Sequence, residues 1–92
     1  MVQVDSYRKL SILIPVYNEE YFVGQLVEKV LEAPLPAGVE RELVIVDDGS
    51  SDETPALLQR LAREHPREIH LHTHPVNRGK GAAIRTAIAG AT

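Results

Sequence analysis

Cysteine and tryptophan are absent from this sequence, and only one of its 92 residues is phenylalanine. Without cysteine the chain has no disulfide, no thiolate zinc site and no thiol nucleophile. The small number of aromatic rings and a formal charge of −3 argue against a nucleic-acid partner. No apolar run approaches the roughly 20 residues that cross a bilayer as a helix. These absences exclude several classes of protein before any motif is considered.

The residues that are present describe one small globular domain. Hydrophobic residues make up 43% of the chain and charged residues 25%, which is typical of a folded domain. A chain of 92 residues accommodates at most one such domain, so we expect a single unit over residues 1–92. We expect a cytoplasmic protein, either free or peripheral to the cytoplasmic face of a membrane.

Three apolar segments with strand character alternate with three segments of helical periodicity. The strands are predicted at residues 10–16, 42–46 and 69–74, and the last helix at residues 79–89. The nearly unbroken apolar runs favour strands that are buried on both faces, as in a parallel sheet. Asn18 and Thr54 are predicted as helix N-caps and Gly90 as a C-cap. The order predicts a three-layer, Rossmann-like βαβαβα fold with a mainly parallel sheet and right-handed crossovers.

Three strands make a thin sheet for such a fold. The chain stops where a turn into a fourth strand is expected, and we interpret it as the truncated first part of a larger domain. The alternative is a complete miniature fold with an open sheet edge. A second copy of the chain could cover that edge, which predicts a homo-oligomer.

Polar residues follow each predicted strand, at residues 15–19, 47–53 and 77–81. Open parallel sheets bind ligands beyond the carboxyl ends of their strands, so these loops are expected to share one crevice. There Asp48 could accept a hydrogen bond from a base or a ribose, or bind Mg²⁺ or Mn²⁺. The competing interpretation is an ordinary turn in which Asp47 is a cap and Asp48 is solvated. The shared crevice favours a ligand role for Asp48 and leaves Asp47 open.

Other residues of these loops are weaker candidates. The ring of Tyr17 could pack beside a base or sugar, or simply cover the sheet end. Glu19 could accept from a ribose, or favour a helix N-terminus. Lys80 lies in a glycine-rich turn that could meet a diphosphate, although the turn matches neither a dinucleotide fingerprint nor a P-loop. Its side chain could equally be a solvated charge.

Histidines alternate at positions 70, 72 and 74, which places them on one face of the third strand. Imidazoles in this arrangement can bind zinc. They also suit the outer face of a half-exposed strand, opposite Ile69 and Leu71. We favour this structural interpretation, which places the third strand near a sheet edge.

Taken together, the three loops resemble the N-terminal nucleotide-binding part of family 2 glycosyltransferases with the GT-A fold. The resemblance rests on residues 14–19 (IPVYNE), 46–54 (VDDGSSDET) and 77–83 (NRGKGAA), in that order along almost the entire chain. The last segment is most similar to the dolichyl- and polyprenyl-phosphate hexose synthase branch. The resemblance implies metal-dependent, inverting transfer of a hexose from a UDP- or GDP-sugar to an acceptor such as polyprenyl phosphate. It also implies that the nucleoside is surrounded by Pro15, Tyr17, Glu19, Val46 and Asp48.

The chain departs from this family pattern in one respect. The family's Asp-x-Asp motif, which holds Mg²⁺ or Mn²⁺ against the diphosphate, is missing from these residues, and so is the later general base. We therefore predict that the isolated chain does not catalyse transfer and contains no catalytic residue. Two alternatives stay open: a non-catalytic nucleotide-binding or self-assembling module, and a Mg²⁺-dependent phosphoacceptor domain that uses Asp47 and Asp48.

Overall fold

The computed structural model describes residues 8–91 and confirms the predicted order of strands and helices. The chain forms β1 (Arg8–Val16), α1 (Val23–Glu32), β2 (Val39–Asp48), α2 (Thr54–Glu64), β3 (Ile69–His74) and α3 (Lys80–Gly90). The predicted bounds of β3 match the structure. β2 begins three residues earlier and ends two residues later than its apolar run alone indicated.

The described strands form a parallel sheet in the order β1-β2-β3, as predicted. β2 is the central strand, and every residue from 42 to 48 is buried. This explains why its sequence is continuously apolar rather than alternating. β3 lies at an edge of this sheet, and β1 lies at the other edge.

Side chains of β2 alternate between two apolar clusters. Leu43 and Ile45 pack with α1 and α2 on one face, in a core that includes Val27 and Leu58. The other face carries α3 in a smaller cluster, made of Val44, Val46, Ala83 and Ala87. The alanines of α3 allow the helix to lie close to the sheet. The sheet is therefore covered on both faces, which confirms the three-layer architecture.

The predicted helix caps are wrong. Asn18 belongs to the loop before α1, and Thr54 and Gly90 lie one position inside their helices. Asn18 adopts a left-handed conformation with φ 49° four residues before the N-cap of α1, which is Phe22. Thr54 is the first residue of α2 rather than its N-cap, and Glu53 takes that position. Gly90 is the last residue of α3, and Ala91 is the C-cap.

The C-terminal end of α1 is held by a side chain from β2 instead. The guanidinium group of Arg41 donates hydrogen bonds to the carbonyl oxygens of Val30 and Ala33. Carbonyl groups in the last turn of a helix lack partners within the helix, so a cation supplied by a neighbouring strand stabilises them. Within residues 8–91, no helix is long and apolar enough to cross a membrane.

Candidate functional site

The loops that follow the three strands meet at the carboxyl ends of the sheet and line an open cavity of about 290 Å³. Five of the six residues predicted to bind a nucleotide line it: Pro15, Tyr17, Glu19, Asp48 and Lys80. The remaining lining is formed by Val16, Asn77 and Ala83. The sheet topology thus brings residues that are up to 68 positions apart in the sequence (Pro15 and Ala83) to one site.

Val46, the sixth predicted residue, does not line this cavity. Its side chain is fully buried beneath α3, where it packs with Ala83. Its backbone is paired with Pro15 on one side and with His72 on the other. Successive side chains of a strand point to opposite faces of the sheet, and that of Val46 points toward α3. It therefore packs between the sheet and the helix, beneath the cavity.

Asp48 is almost completely buried, and its carboxylate is the most densely bonded group of the site. Oδ1 accepts hydrogen bonds from Nδ1 of His74 at 2.7 Å and from the backbone N–H of Arg78 at 2.9 Å. Oδ2 accepts the backbone N–H of Gly79 at 2.9 Å. The bond from His74, together with the bonds from the two backbone groups, outweighs burial and lowers the pKa of Asp48 below its ordinary value. Asp48 thus lines the cavity and also anchors the third loop.

Asp47 faces the other side of the sheet and closes the turn that follows β2. Its Oδ1 accepts the backbone N–H of Ser50, three residues further along the chain, at 3.1 Å. Its Oδ2 is buried without a hydrogen-bond partner among the described residues. The two neighbouring carboxylates therefore differ in their surroundings, and Asp47 serves to hold a loop.

The first and second loops are joined by reciprocal hydrogen bonds. The N–H of Asn18 donates to Oγ of Ser50, and Oδ1 of Asn18 accepts the N–H of Ser51, both at 2.9 Å. The left-handed conformation of Asn18 presents its backbone and its side chain to the same neighbouring loop. Asparagine tolerates this conformation better than most residues do.

A second pair of contacts continues this connection toward α2. The N–H of Glu19 donates to Oγ1 of Thr54 at 2.9 Å, and the N–H of Glu20 donates to Oδ2 of Asp52 at 3.3 Å. Burial opposes ionisation of Asp52, but bonds from Thr54 and Glu20 outweigh it, and the pKa of Asp52 is lowered. Glu19 is thereby held at the cavity through its backbone, which leaves its carboxylate exposed.

Gly49 brings the second and third loops into direct backbone contact. It has φ +74°, and a Cβ at this position would lie 2.4 Å from the backbone nitrogen of Asn77. It would also lie 2.5 Å from the carbonyl carbon of Val76. Neither atom can move aside as a flexible side chain would, so the close approach depends on glycine.

His74 is the site residue that sequence reasoning missed. The histidines do share one face, but that face is the one covered by α3, and His74 is only 6% exposed. Its Nδ1 bonds Asp48 and its Nε2 lies 2.7 Å from Oγ1 of Thr86. The available signal was the parallel register, which pairs Asp48 with His74 across the sheet.

The other two histidines have separate neighbours. Nε2 of His70 lies 3.5 Å from Oε1 of Glu42, a buried residue that also accepts a 2.6 Å hydrogen bond from Ser11. His72 lies against the end of α3, where a Cβ at Gly90 would come within 2.4 Å of its Nε2. Between residues 8 and 91, no group of three histidine, cysteine or acidic side chains is placed to hold a metal ion.

A divalent cation therefore does not fit the residues described at this site. Three of the roughly four lone-pair directions of the Asp48 carboxylate already accept hydrogen bonds from within the chain. Oxygen-ligand cations require several such groups together. A larger cavity of about 540 Å³ lies at the opposite end of the sheet, and its lining includes Arg41 and Glu68 but none of the predicted site residues.

The fold and the position of this cavity define a Rossmann-like α/β domain with its site beyond the carboxyl ends of the strands. The model of a known family, glycosyl transferase family 2, matches residues 11–92. The chain belongs to that family.

Individual relatives place the chain beside sugar transferases that act on polyprenyl phosphates. It is 40% identical to dolichyl-phosphate beta-glucosyltransferase ALG5A of Trichomonas vaginalis, over 83% of this chain and 25% of that protein. It is 37% identical to undecaprenyl-phosphate 4-deoxy-4-formamido-L-arabinose transferase of Pectobacterium carotovorum, over 88% of this chain and 25% of that protein. The chain thus spans about a quarter of the length of these relatives.

A solved structure gives the same answer for the fold. Mannosyltransferase PcManGT from Pyrobaculum calidifontis, determined in complex with GDP-Man and Mn²⁺, superposes with a TM-score of 0.80 and 32% sequence identity. The match covers 95% of this chain and 26% of that one. These comparisons confirm the GT-A fold and the resemblance to the polyprenyl-phosphate branch of the family.

Replacing Gly49 by alanine tests the contact between the second and third loops. We expect Gly49→Ala to destabilise the protein far more than Gly38→Ala, which serves as the matched control. Gly38 also has positive φ (+83°), but a Cβ added there would have nothing within 4 Å, so it carries only the conformational cost of about 1 kcal/mol. Urea unfolding measures both, and equal losses for the two variants would contradict the backbone contact.

The lowered pKa of Asp48 predicts a pH-dependent contribution to stability. A depressed pKa in the folded state stabilises the protein fully above the ordinary value of 3.8, and this stabilisation is lost as the pH falls through the folded value. The free energy of unfolding should therefore differ most between wild type and Asp48→Asn at neutral pH, and the difference should shrink below pH 3.8. Glu28→Gln, at an exposed position of α1, controls for the loss of one negative charge. Parallel stability curves for wild type and Asp48→Asn down to about pH 3 would refute this assignment.

Proposed function

We propose that the chain is the nucleotide-binding part of an inverting glycosyltransferase. The enzyme would transfer a hexose from a UDP- or GDP-sugar to an acceptor such as polyprenyl phosphate. The observation that carries this proposal is that Pro15, Tyr17, Glu19 and Asp48 line one cavity at the carboxyl ends of the strands. Family membership supports the chemistry, and the cavity supports the binding.

The cavity offers the groups that a nucleoside needs. Its volume of about 290 Å³ is at the lower end of the range for small-ligand pockets and suits a base with its ribose. Tyr17 is 47% exposed, and its ring would provide an apolar surface for one face of the base or sugar. Asp48 and Glu19 provide acceptors for N–H and O–H groups.

The diphosphate would lie at the start of α3. Gly79 precedes this helix with φ 92°, and Lys80, the first helical residue, has an exposed side chain that lines the cavity. The positive end of the helix dipole and the ammonium group of Lys80 both favour an anion there. Lys80 is thus proposed to meet a phosphate.

The acceptor is inferred from the relatives. Two proteins with 37–40% identity to this chain are named for transfer to dolichyl phosphate or undecaprenyl phosphate. Enzymes that use such acceptors work where the lipid is, so we propose a cytoplasmic site that is peripheral to the membrane face.

The isolated chain is proposed to bind a nucleotide without transferring sugar. Departure of a nucleoside diphosphate requires electrostatic stabilisation, which a divalent cation commonly supplies. The sequence contains no Asp-x-Asp pair, and residues 8–91 include no three-ligand metal group. The Mg²⁺ or Mn²⁺ expected for the family would need ligands from outside these 92 residues.

A self-assembling module is the second candidate, and one observation favours it. β1 pairs only with β2 among the described residues, so its other side offers backbone groups to a further strand. Under this alternative the sheet would serve association between copies, and nucleotide binding would be absent. A nucleotide titration separates the two candidates.

Titration calorimetry with UDP and with GDP tests the proposed function. We expect one of the two nucleotides to bind, and Tyr17→Ala to weaken that binding by about tenfold because a stacked ring contributes about 1–3 kcal/mol. Tyr21→Ala is the matched control, since Tyr21 is 81% exposed and lies outside the cavity lining. No binding of either nucleotide, or equal effects of the two substitutions, would count against the proposal.

A sugar-transfer assay tests the second half of the proposal. With radiolabelled UDP- or GDP-hexose, Mn²⁺ and polyprenyl phosphate, we expect the isolated chain to give no labelled lipid above a protein-free blank. The physical reason is the missing stabilisation of the leaving diphosphate. Turnover by the isolated chain would show that these residues suffice for catalysis.

A further inference from the structure

A chain of hydrogen bonds runs from α3 to the cavity through the buried imidazole of His74. Oγ1 of Thr86 lies 2.7 Å from Nε2 of His74, and Nδ1 of His74 lies 2.7 Å from Oδ1 of Asp48. His74 itself is not part of the cavity lining. It therefore contacts Asp48 on the side away from the cavity, and neither the family match nor the cavity lining gives it a role.

The partners of His74 select one tautomer of the neutral ring. A carboxylate only accepts hydrogen bonds, so Nδ1 must carry the proton that it shares with Asp48. Nε2 is then an acceptor, and the hydroxyl group of Thr86 is its donor. Thr86 thus keeps the Nδ1–H group of the imidazole directed toward the carboxylate of Asp48.

The donors around Asp48 are distributed unequally between its two oxygens. Oδ1 accepts from both His74 and the N–H of Arg78, whereas Oδ2 accepts only the N–H of Gly79 among the donors of residues 8–91. A carboxylate oxygen has two lone pairs, so Oδ1 is filled and Oδ2 retains one acceptor direction. Asp48 is one of the residues that line the cavity, and we infer that a hydrogen-bond donor of a ligand can use this direction of Oδ2.

The geometry points to His74, held by Thr86, as a positioning residue that fixes the carboxylate of Asp48 so that Oδ2 accepts one N–H or O–H of a bound nucleoside. This inference rests on the proposed function and adds a residue and an atom to it. His74 acts through Asp48 and does not touch the ligand. Recognition of a hydrogen-bond donor on the ligand then depends on the side chain of His74 on β3 and on the hydroxyl group of Thr86 on α3.

Two amide substitutions separate the two bonds of His74. The terminal atoms of asparagine reach about as far as Nδ1 and those of glutamine about as far as Nε2. His74→Asn therefore keeps a donor for Asp48 and loses Thr86, while His74→Gln keeps Thr86 and loses the donor for Asp48. We expect the dissociation constant for the bound nucleotide, UDP or GDP, to rise about tenfold in His74→Gln, the effect of one lost charge-assisted bond. It should stay within about threefold of wild type in His74→Asn.

Thr86 provides a milder test, because the buried imidazole itself is not replaced. Thr86→Val removes the hydroxyl group without changing the shape, and we expect about threefold weaker nucleotide binding as the imidazole loses its fixed tautomer. Thr86→Ser restores the hydroxyl group and should restore the affinity. A role confined to stability would instead change the midpoint of thermal unfolding in these variants and leave the dissociation constant unchanged, which would overturn the inference.

Long-range ¹H–¹⁵N NMR of the ligand-free protein tests the orientation without any nucleotide. We expect the Nδ1–H tautomer for His74 in wild type, and a mixture of tautomers in Thr86→Val. Equal nucleotide affinity of His74→Gln and His74→Asn would overturn the inference, and so would an Nε2–H tautomer in wild type. If wild type binds neither UDP nor GDP, the proposed function fails, and the NMR result alone then decides whether His74 orients Asp48.

Discussion

The arrangement of the site depends on one carboxylate, that of Asp48, accepting three hydrogen bonds at the end of the central strand. Two of the donors are backbone groups of the third loop and one is the imidazole of His74. A shift of the loop would break these bonds and leave a buried anion without hydrogen-bond donors. Because charge-assisted bonds are strong, their loss would raise the free energy of the folded protein, and this holds the loop in place. The same bonds set where α3 begins, since Gly79 is both a donor to Asp48 and the residue before the helix. One charged group therefore fixes a loop, a helix start and one wall of the cavity.

The remaining loops are fixed by hydrogen bonds between them and by one close backbone approach. Asn18 joins the first loop to the second, and Gly49 lets the second approach the backbone of the third. The neighbouring acids divide two tasks, with Asp47 closing a turn and Asp48 reaching the cavity. As a result, few of the backbone groups around the site depend on a ligand for their conformation, which lowers the entropy cost of binding.

Much of this could be predicted from the sequence, for identifiable reasons. Unbroken apolar runs indicated the parallel sheet, and the rule that ligands bind beyond the carboxyl ends of strands brought Tyr17, Asp48 and Lys80 to one cavity. The N-cap predictions failed because Asn18 and Thr54 form hydrogen bonds with residues more than 30 positions away, which local sequence patterns do not report. His74 was missed because its alternation gives a face but does not say what covers it. Only the register with Asp48 and the position of α3 supply that information.

The asymmetry between the interior and the mouth of the cavity has an evolutionary consequence. Asp48 and Gly49 are committed to intramolecular contacts, whereas Tyr17, Asn77 and Lys80 are exposed. If the cavity binds a nucleotide as proposed, substitutions at the exposed positions would alter recognition at its mouth while the bonded interior keeps its geometry. Selectivity could then diverge among descendants of one ancestral scaffold at little risk to folding, and directed evolution of new nucleotide preferences would begin with libraries at these three positions.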